Sequence, residues 1–256
     1  MRGWSAIFRK EVANFFVSPI AYAVIGGFLL VAGYFFYMNV LFLNLLSLQA
    51  TANPMMAERI NMTDVVIRPY VSNMGIILLF VMPLITMRLF SEEKRSGAIE
   101  LLLTYPISDL GFVVGKFLAA GLVLAVMLLG TAPCILMLFG LGQPDLGPLC
   151  GGYLGLLLMG AAFMSMGLFI SSLTENQIIS SALTFVAALM VWVISWGASF
   201  AGEGLGTVIR QLSILEHLDA LNRGVLAVED ISFFVFFSLF FLFLTLRSVE
   251  THRWRG

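Results

Sequence analysis

Residues Ile20–Leu46 read IAYAVIGGFLLVAGYFFYMNVLFLNLL and contain no charged side chain. An α-helix needs roughly 20 consecutive apolar residues to cross the hydrocarbon core of a bilayer, and this stretch exceeds that length. Five later stretches are similarly long and apolar: Val71–Leu89, Phe112–Leu141, Leu149–Leu173, Ile178–Phe200 and Ile231–Leu246. The pattern predicts an all-α integral membrane protein with six transmembrane helices.

The composition of the whole chain excludes an ordinary water-soluble domain. Of its 256 residues, 60% are hydrophobic and 11% are charged, whereas soluble domains have about 25% charged residues. Folded in water, such a chain would expose large apolar patches, which a lipid bilayer covers. The net charge is −1, and we therefore expect no basic surface for a nucleic acid.

Lysine and arginine are unevenly distributed about the six stretches. Ten fall on one side of the predicted membrane: Arg2, Arg9, Lys10, Arg88, Lys94, Arg95, Lys116, Arg247, Arg253 and Arg255. Four fall on the other side: Arg59, Arg68, Arg210 and Arg223. Because cytoplasmic loops carry the excess of lysine and arginine, we predict that both termini are cytoplasmic.

The chain divides into an amino-terminal segment, residues 1–19, and a transmembrane domain, residues 20–256. One helical face of the first segment is apolar and carries Trp4, Phe8, Val12 and Phe15. This pattern predicts a helix that lies along the cytoplasmic headgroups, separated from the first span by Pro19. The alternative is a soluble tail.

On the outer side, residues 202–230 have apolar side chains at spacings of three and four. These residues are Val208, Leu212, Leu215, Leu218, Leu221 and Val225. The periodicity predicts an amphipathic helix that lies on the outer leaflet or dips into it.

Motifs of membrane enzymes are missing from the sequence. The two histidines, His217 and His252, lie outside the predicted spans, so neither an HExxH zinc site nor a Ser–His pair at membrane depth can form. We expect no catalytic residue and no metal site on this chain.

Residues 111–117, GFVVGKF, differ from a phosphate-binding loop in two ways. Three residues instead of four separate the glycines, and Phe117 stands where Ser or Thr would bind magnesium. Gly111 and Gly115 are interpreted as sites of close helix packing, as are Gly151 and Gly155. Lys116 is predicted to extend to the cytoplasmic surface. The chain is not expected to bind a cofactor or to hydrolyse ATP alone.

The centres of the six predicted spans lack ionisable side chains. Ion-coupled carriers usually place such groups near the bilayer midplane, so a secondary carrier is disfavoured. If the protein transports a substrate, we expect its energy to come from a partner protein.

Residues 88–108 read RLFSEEKRSGAIELLLTYPIS and follow the second span. As a helix, residues 88–104 would have an apolar face, and a polar face with Glu93, Ser96, Gly97 and Glu100. Pro106 would end this helix, and Ser108 or Asp109 would cap the next one. Two interpretations remain open: a docking site for a cytoplasmic partner, or an interfacial helix that only shields the loop.

The same residues resemble the signature of ABC-type-2 export permeases, in which an arginine and paired acids precede Ser-Gly-x-x-Glu-Leu-Leu-Leu-x-x-Pro-Ile-Ser. Further regions are similar to that family in the same order: Arg9–Glu11 with Ser18–Tyr22, Ser171–Gln177, and Leu212–Ser213 with His217, Arg223–Val225 and Asp230–Ile231. The length and last segment are most similar to the gliding-motility subfamily, although Leu218 stands where an aromatic residue is more common.

The resemblance implies a bacterial inner-membrane permease subunit without catalytic residues. Two permeases, identical or paralogous, would bind two cytoplasmic ABC ATPases that hold ATP and magnesium, and the subfamily adds an extracytoplasmic auxiliary protein. Residues 88–104 would be the coupling helix that transmits movement of the ATPase to the spans. Its docking residues would be Arg88, Glu92, Glu93, Lys94, Arg95, Ser96, Gly97 and Glu100.

Four further positions stand out by their place in the predicted topology. Glu175, in the turn between the fourth and fifth spans, would either cap the fifth helix or contact the ATPase. His217, with Arg223 and Gly224, marks the outer segment, and His217 is expected to face solvent without a catalytic role. A membrane scaffold that recruits an ATPase without translocation shares all these features and remains the alternative to a permease.

Overall fold

The computed structural model describes residues 3–52, 61–98, 108–197 and 203–255, and within these ranges the chain is helical without a β-strand. Eleven α-helices follow one another in this part of the chain: α1 Gly3–Val17, α2 Pro19–Ala52, α3 Arg68–Thr86, α4 Arg88–Arg95, α5 Asp109–Gly130, α6 Ala132–Leu141, α7 Leu146–Leu173, α8 Gln177–Gly197, α9 Glu203–Gln211, α10 Ile214–Asn222 and α11 Val228–Arg255. A π-helical turn, Thr63–Ile67, leads into α3.

Six helical stretches in the described ranges are long and apolar enough to cross a membrane. They are Pro19–Ala50, Thr63–Arg95, Asp109–Leu141, Leu146–Leu173, Gln177–Ile194 and Val228–Thr251. The six-helix, all-α prediction is therefore confirmed. Several helices extend past the predicted apolar limits, because polar residues at their ends continue the helix beyond the hydrocarbon.

Helix α7 is the central element of the bundle, and α3, α5, α8, α10 and α11 pack around it. Small residues on α7 allow these close contacts, as the glycine spacing predicts. A Cβ atom on Gly151 would overlap the Leu221 carbonyl of α10, and one on Gly155 would lie 2.9 Å from Leu218 Cδ1.

Helix α1 packs one face against α5 and ends before Pro19. Ile7, Glu11 and Phe15 form its buried face, whereas Trp4 is 44% exposed. A Cβ atom on Gly115 of α5 would lie 2.9 Å from Ile7 Cβ, so the two backbones approach closely. The buried face of α1 therefore contains the Glu11 carboxylate, whereas the face inferred from the sequence was purely apolar.

The segment that follows α8 differs from the single helix inferred for residues 202–230. It forms two helices, α9 and α10, which are separated at Ser213, whose hydroxyl accepts a hydrogen bond from Glu216 N at 3.3 Å and caps α10. Ile214, Leu218 and Leu221 are at most 2% exposed. Helix α10 therefore lies inside the bundle against α7, because the α7 glycines leave room for it.

The region inferred as one helix over residues 88–104 is interrupted. Helix α4 ends at Arg95, and Gly97 has a φ of +69°, a left-handed conformation that breaks a right-handed helix. Residues 99–107, including Glu100, lie outside the described residues. Ser108 caps α5 by accepting a hydrogen bond from Gly111 N at 3.2 Å.

Candidate functional site

The short helix α4 is fixed to the end of α7 by Ser171. The Ser171 hydroxyl accepts hydrogen bonds from the backbone N–H groups of Phe90 and Ser91, both at 3.2 Å, and donates one to the Met87 carbonyl at 3.1 Å. The first N–H groups of a helix have no partner within the helix. Ser171 therefore caps α4 from a distant part of the chain and determines where α4 lies.

A second connection joins α4 to the same end of α7 and to α11. Lys94 Nζ donates a hydrogen bond to the Ser172 carbonyl oxygen at 2.5 Å, and Ser248 Oγ donates to the same oxygen at 3.4 Å. Lys94, predicted as a docking residue, is thus turned inward and joins three helices.

Four charged side chains meet between α1, α4 and α5, and we call Lys10, Glu11, Glu93 and Lys116 the charge cluster. Lys116 Nζ lies 2.8 Å from Glu11 Oε1 and 2.8 Å from Glu93 Oε2. Lys10 Nζ lies 2.7 Å from Glu93 Oε1. The two cations and two carboxylates balance, as buried charges require.

Lys116 is the most buried member of the charge cluster, with 0% of its surface exposed. Its ammonium also donates a hydrogen bond to the Leu89 carbonyl of α4 at 2.5 Å. The rings of Phe90 and Phe112 lie 5.2 Å and 5.0 Å from this nitrogen, within the range of cation–π attraction.

The sequence-based interpretation of Lys116 is wrong, and Glu93 has partners that the sequence did not reveal. Lys116 does not extend to the surface, because α1 covers it and supplies Glu11 as a partner. Glu93, predicted as a docking residue, is 9% exposed and forms ion pairs with Lys10 and Lys116.

Other predicted docking residues are exposed or, in the case of Arg88, half-buried. Arg88 donates to Ser18 Oγ at 2.8 Å and to Glu92 Oε2 at 3.2 Å, and 52% of the Glu92 side chain is exposed. Arg95, Ser96 and Gly97 are exposed at the end of α4. Between α1 and α4 lies an open cleft of about 510 Å³, whose lining includes the polar side chains of Lys10, Asn14, Ser18, Arg88, Glu92 and Ser96.

Glu175 is exposed in the turn between α7 and α8. The neighbouring Asn176 caps α8 instead: its Oδ1 accepts hydrogen bonds from the N–H groups of Ile178 at 2.9 Å and Ile179 at 3.4 Å. The capping role considered for Glu175 is therefore wrong, because the amide one position later has the required geometry.

The prediction that His217 faces solvent is also wrong. The His217 ring is 7% exposed, with Nδ1 2.6 Å from Asp230 Oδ1 and Nε2 3.1 Å from the Gln211 carbonyl. It stacks on Phe233 at a centroid distance of 4.1 Å. His217 thus connects the end of α9 and the start of α11 to α10.

Arg223 and Gly224, the other two landmarks of this segment, lie at the end of α10. Arg223 pairs with Asp219 at 2.6 Å on the surface. Gly224 has a φ of +80°, and a Cβ atom there would lie 2.8 Å from Pro148 N, so that only glycine fits this turn.

Sequence reasoning did not identify the partners of the buried charged residues, although the sequence contained weak signals for Lys116 and Glu11. A single lysine in an apolar stretch, such as Lys116, is costly unless it finds a carboxylate. Glu11 lies four residues from Ile7 and from Phe15, on one face of α1. No grouping of three metal-binding side chains occurs in the part of the chain that the structure describes.

Comparison with known proteins bears out the family resemblance. The family model described as "ABC-2 family transporter protein" matches residues 44–249, which include α3 to α10 and most of α11. Among curated proteins, none matches the chain. The family match covers well over half of the sequence and includes the charged end of the second span. The chain belongs to the ABC-2 family of transporter proteins.

Proposed function

We propose that this chain is the membrane-spanning permease subunit of an ABC transporter and that a separate ATPase binds it at the exposed end of α4. Family membership supports a transporter membrane subunit. The observation that supports the docking site is the cleft beside α4. Exposed charged side chains line this cleft, and α4 itself is held firmly to the bundle.

The contacts of α4 suit the transmission of force. Ser171 and Lys94 join α4 to α7, and the charge cluster joins it to α1 and α5. A push on α4 would therefore displace several helices together. The work comes from a difference in affinity: the ATPase must bind α4 differently in its two nucleotide states.

The charge distribution supports the orientation of this site. If both termini are cytoplasmic, the positive-inside rule puts α4, the α1–α4 cleft and Glu175 on the cytoplasmic face. The complete transporter would contain two permeases, identical or paralogous, and two ATPases that bind ATP and magnesium. It would lie in a bacterial inner membrane, and the likeness to the gliding-motility subfamily, with its auxiliary protein, stays a prediction.

The docking site is tested by reversing one exposed charge. Glu92→Lys should lower co-purification with the proposed ABC ATPase partner about tenfold, because like charges across an interface oppose binding. Asp219→Lys is the matched control, since its side chain is also 52% exposed and also pairs with an arginine four residues away, at the other end of the bundle. Equal retention of the ATPase by both variants would contradict the proposed site.

A simultaneous reversal of Glu92 and Glu93, the test that the sequence suggests, would mix two effects. Lysine at position 93 would put a third cation next to Lys10 and Lys116. Loss of binding could then follow from misfolding. Glu92→Lys alone, with Arg95→Glu as an independent variant, changes only exposed side chains.

Export and mechanical action on an outer partner would both use this docking site. Reconstituted vesicles distinguish them: a permease moves its cargo during ATP hydrolysis, whereas a scaffold supports hydrolysis without movement of cargo.

A further inference from the structure

A second open groove, of about 670 Å³, lies between α1, α5 and α7, away from the α1–α4 cleft. Its walls are mainly apolar and include Phe8, Leu122 and Leu157. Among its lining residues, Arg9 of α1 is the one with a charged side chain. The groove is therefore apolar along its length and cationic at the α1 end.

Arg9 is exposed, and no described residue forms an ion pair with it. The adjacent Lys10, in contrast, is engaged by Glu93 at 2.7 Å. Trp4, whose ring prefers the boundary between headgroups and hydrocarbon, lines the same end of the groove. Both side chains suit the headgroup level of a leaflet.

The length of the groove matches one leaflet. Along α5 it extends from Phe117 to Ala125, a rise of roughly 12 Å at 1.5 Å per residue. Half of a hydrocarbon core is roughly 15 Å thick. An acyl chain lying in the groove with its phosphate at Arg9 would thus stay within the leaflet on the α1 side.

We propose that this groove binds one anionic phospholipid, with the phosphate on Arg9 and one acyl chain along α5 past Gly121. The attraction of an arginine near the surface for anionic lipid explains the preference for a charged headgroup. The apolar walls explain why the ligand is a lipid and not a free phosphate. The site is independent of ATPase docking.

Gly121 allows the groove to be filled without disturbing the bundle. A Cβ atom at Gly121 would meet nothing within 4 Å, and the same holds at Gly140 on α6. Gly121→Leu should therefore fold and occupy the place of the acyl chain. Gly140→Leu is the matched control, which adds the same side chain outside the groove.

The test is native mass spectrometry of the purified full chain, equilibrated with phosphatidylglycerol and phosphatidylcholine of identical acyl chains. The wild type should retain one phosphatidylglycerol per chain in preference to phosphatidylcholine. Arg9→Gln should reduce that preference about fivefold, the effect of one cation near the surface. Gly121→Leu should lose both lipids, while Gly140→Leu should behave as the wild type.

Several outcomes would overturn the site. Retention of lipid by Gly121→Leu, with an unchanged melting temperature, would put the bound lipid elsewhere. An unchanged preference in Arg9→Gln would show that the phosphate does not lie on Arg9. A change in the dimer fraction of Gly121→Leu without a change in bound lipid would assign the groove to contact with a second copy of the chain.

Discussion

Lys116 has an ammonium group with two carboxylates 2.8 Å away, although it lies within the third apolar stretch of the sequence. Transfer of a lone ammonium from water into a protein interior costs several kcal/mol. Glu11 and Glu93 offset this cost, and each comes from a different helix. The charge cluster therefore holds α1 and α4 against α5 only when all three helices are in position.

Lys116→Met is expected to lower the free energy of unfolding by about 3–5 kcal/mol, because it leaves two buried carboxylates with too few partners. The measurement is unfolding of the purified chain in detergent micelles as denaturant is added. The triple variant Glu11→Gln, Glu93→Gln, Lys116→Met removes the charges together, and it should be more stable than Lys116→Met. If Lys116→Met is as stable as the wild type, the cluster contributes nothing to the fold.

Among the elements, α4 depends most clearly on a residue distant in sequence. It follows α3 after the single residue Met87, and near its start the N–H groups of Phe90 and Ser91 donate to the Ser171 hydroxyl. Ser171 and Ser172 are equally buried, at 0% and 1% exposed, but Ser172 Oγ donates only to Phe169 O of its own helix at 2.7 Å. A comparison of the two serines therefore distinguishes the effect of losing the α4 cap from the effect of changing a buried serine.

Ser171→Ala is expected to cost about 1–2 kcal/mol of stability, the usual effect of losing a helix cap. Ser172→Ala should cost less, since the Ser172 carbonyl that binds Lys94 is retained. Both variants can be compared by the same denaturant titration and, once the proposed ATPase partner is purified, by its activity with each variant. A larger loss in Ser172→Ala would argue against the capping role of Ser171.

At the scale of the whole molecule, the central helix α7 has an exposed turn residue near each end. Gln143 precedes it and Glu175 follows it. Because an α-helix of 28 residues spans the hydrocarbon, these two positions must lie on opposite sides of the membrane. They therefore report the orientation of the protein.

We expect Gln143→Cys to react with a membrane-impermeant maleimide in intact cells, and Glu175→Cys to react only after the membrane is opened. Both changes are made in a chain with Cys134→Ser and Cys150→Ser, so that no other thiol contributes. The asymmetry of lysine and arginine is the physical reason for this orientation. Labelling of Glu175→Cys from outside would reverse the predicted topology and would contradict a cytoplasmic location of the proposed docking site.

The docking residues that the family signature implies do not all lie on the surface. Glu92 and Arg95 lie on the surface, as a docking site requires, whereas Glu93 and Lys94 turn inward. Helical periodicity alone could not separate these neighbours. Periodicity shows which residues share one face of a helix. The positions of α1 and α7 decide which face of α4 is covered.

The sequence by itself determined the six spans and the glycines that let helices approach, because insertion in lipid depends on the length and hydrophobicity of each stretch alone. Only the tertiary structure decided the partners of the buried charges and the burial of α10 and His217. Lys116 and Glu11 are 105 residues apart, and Lys10 and Glu93 are 83 apart. Such pairs form only when the helices pack, since a buried charge is stable only beside its counterion.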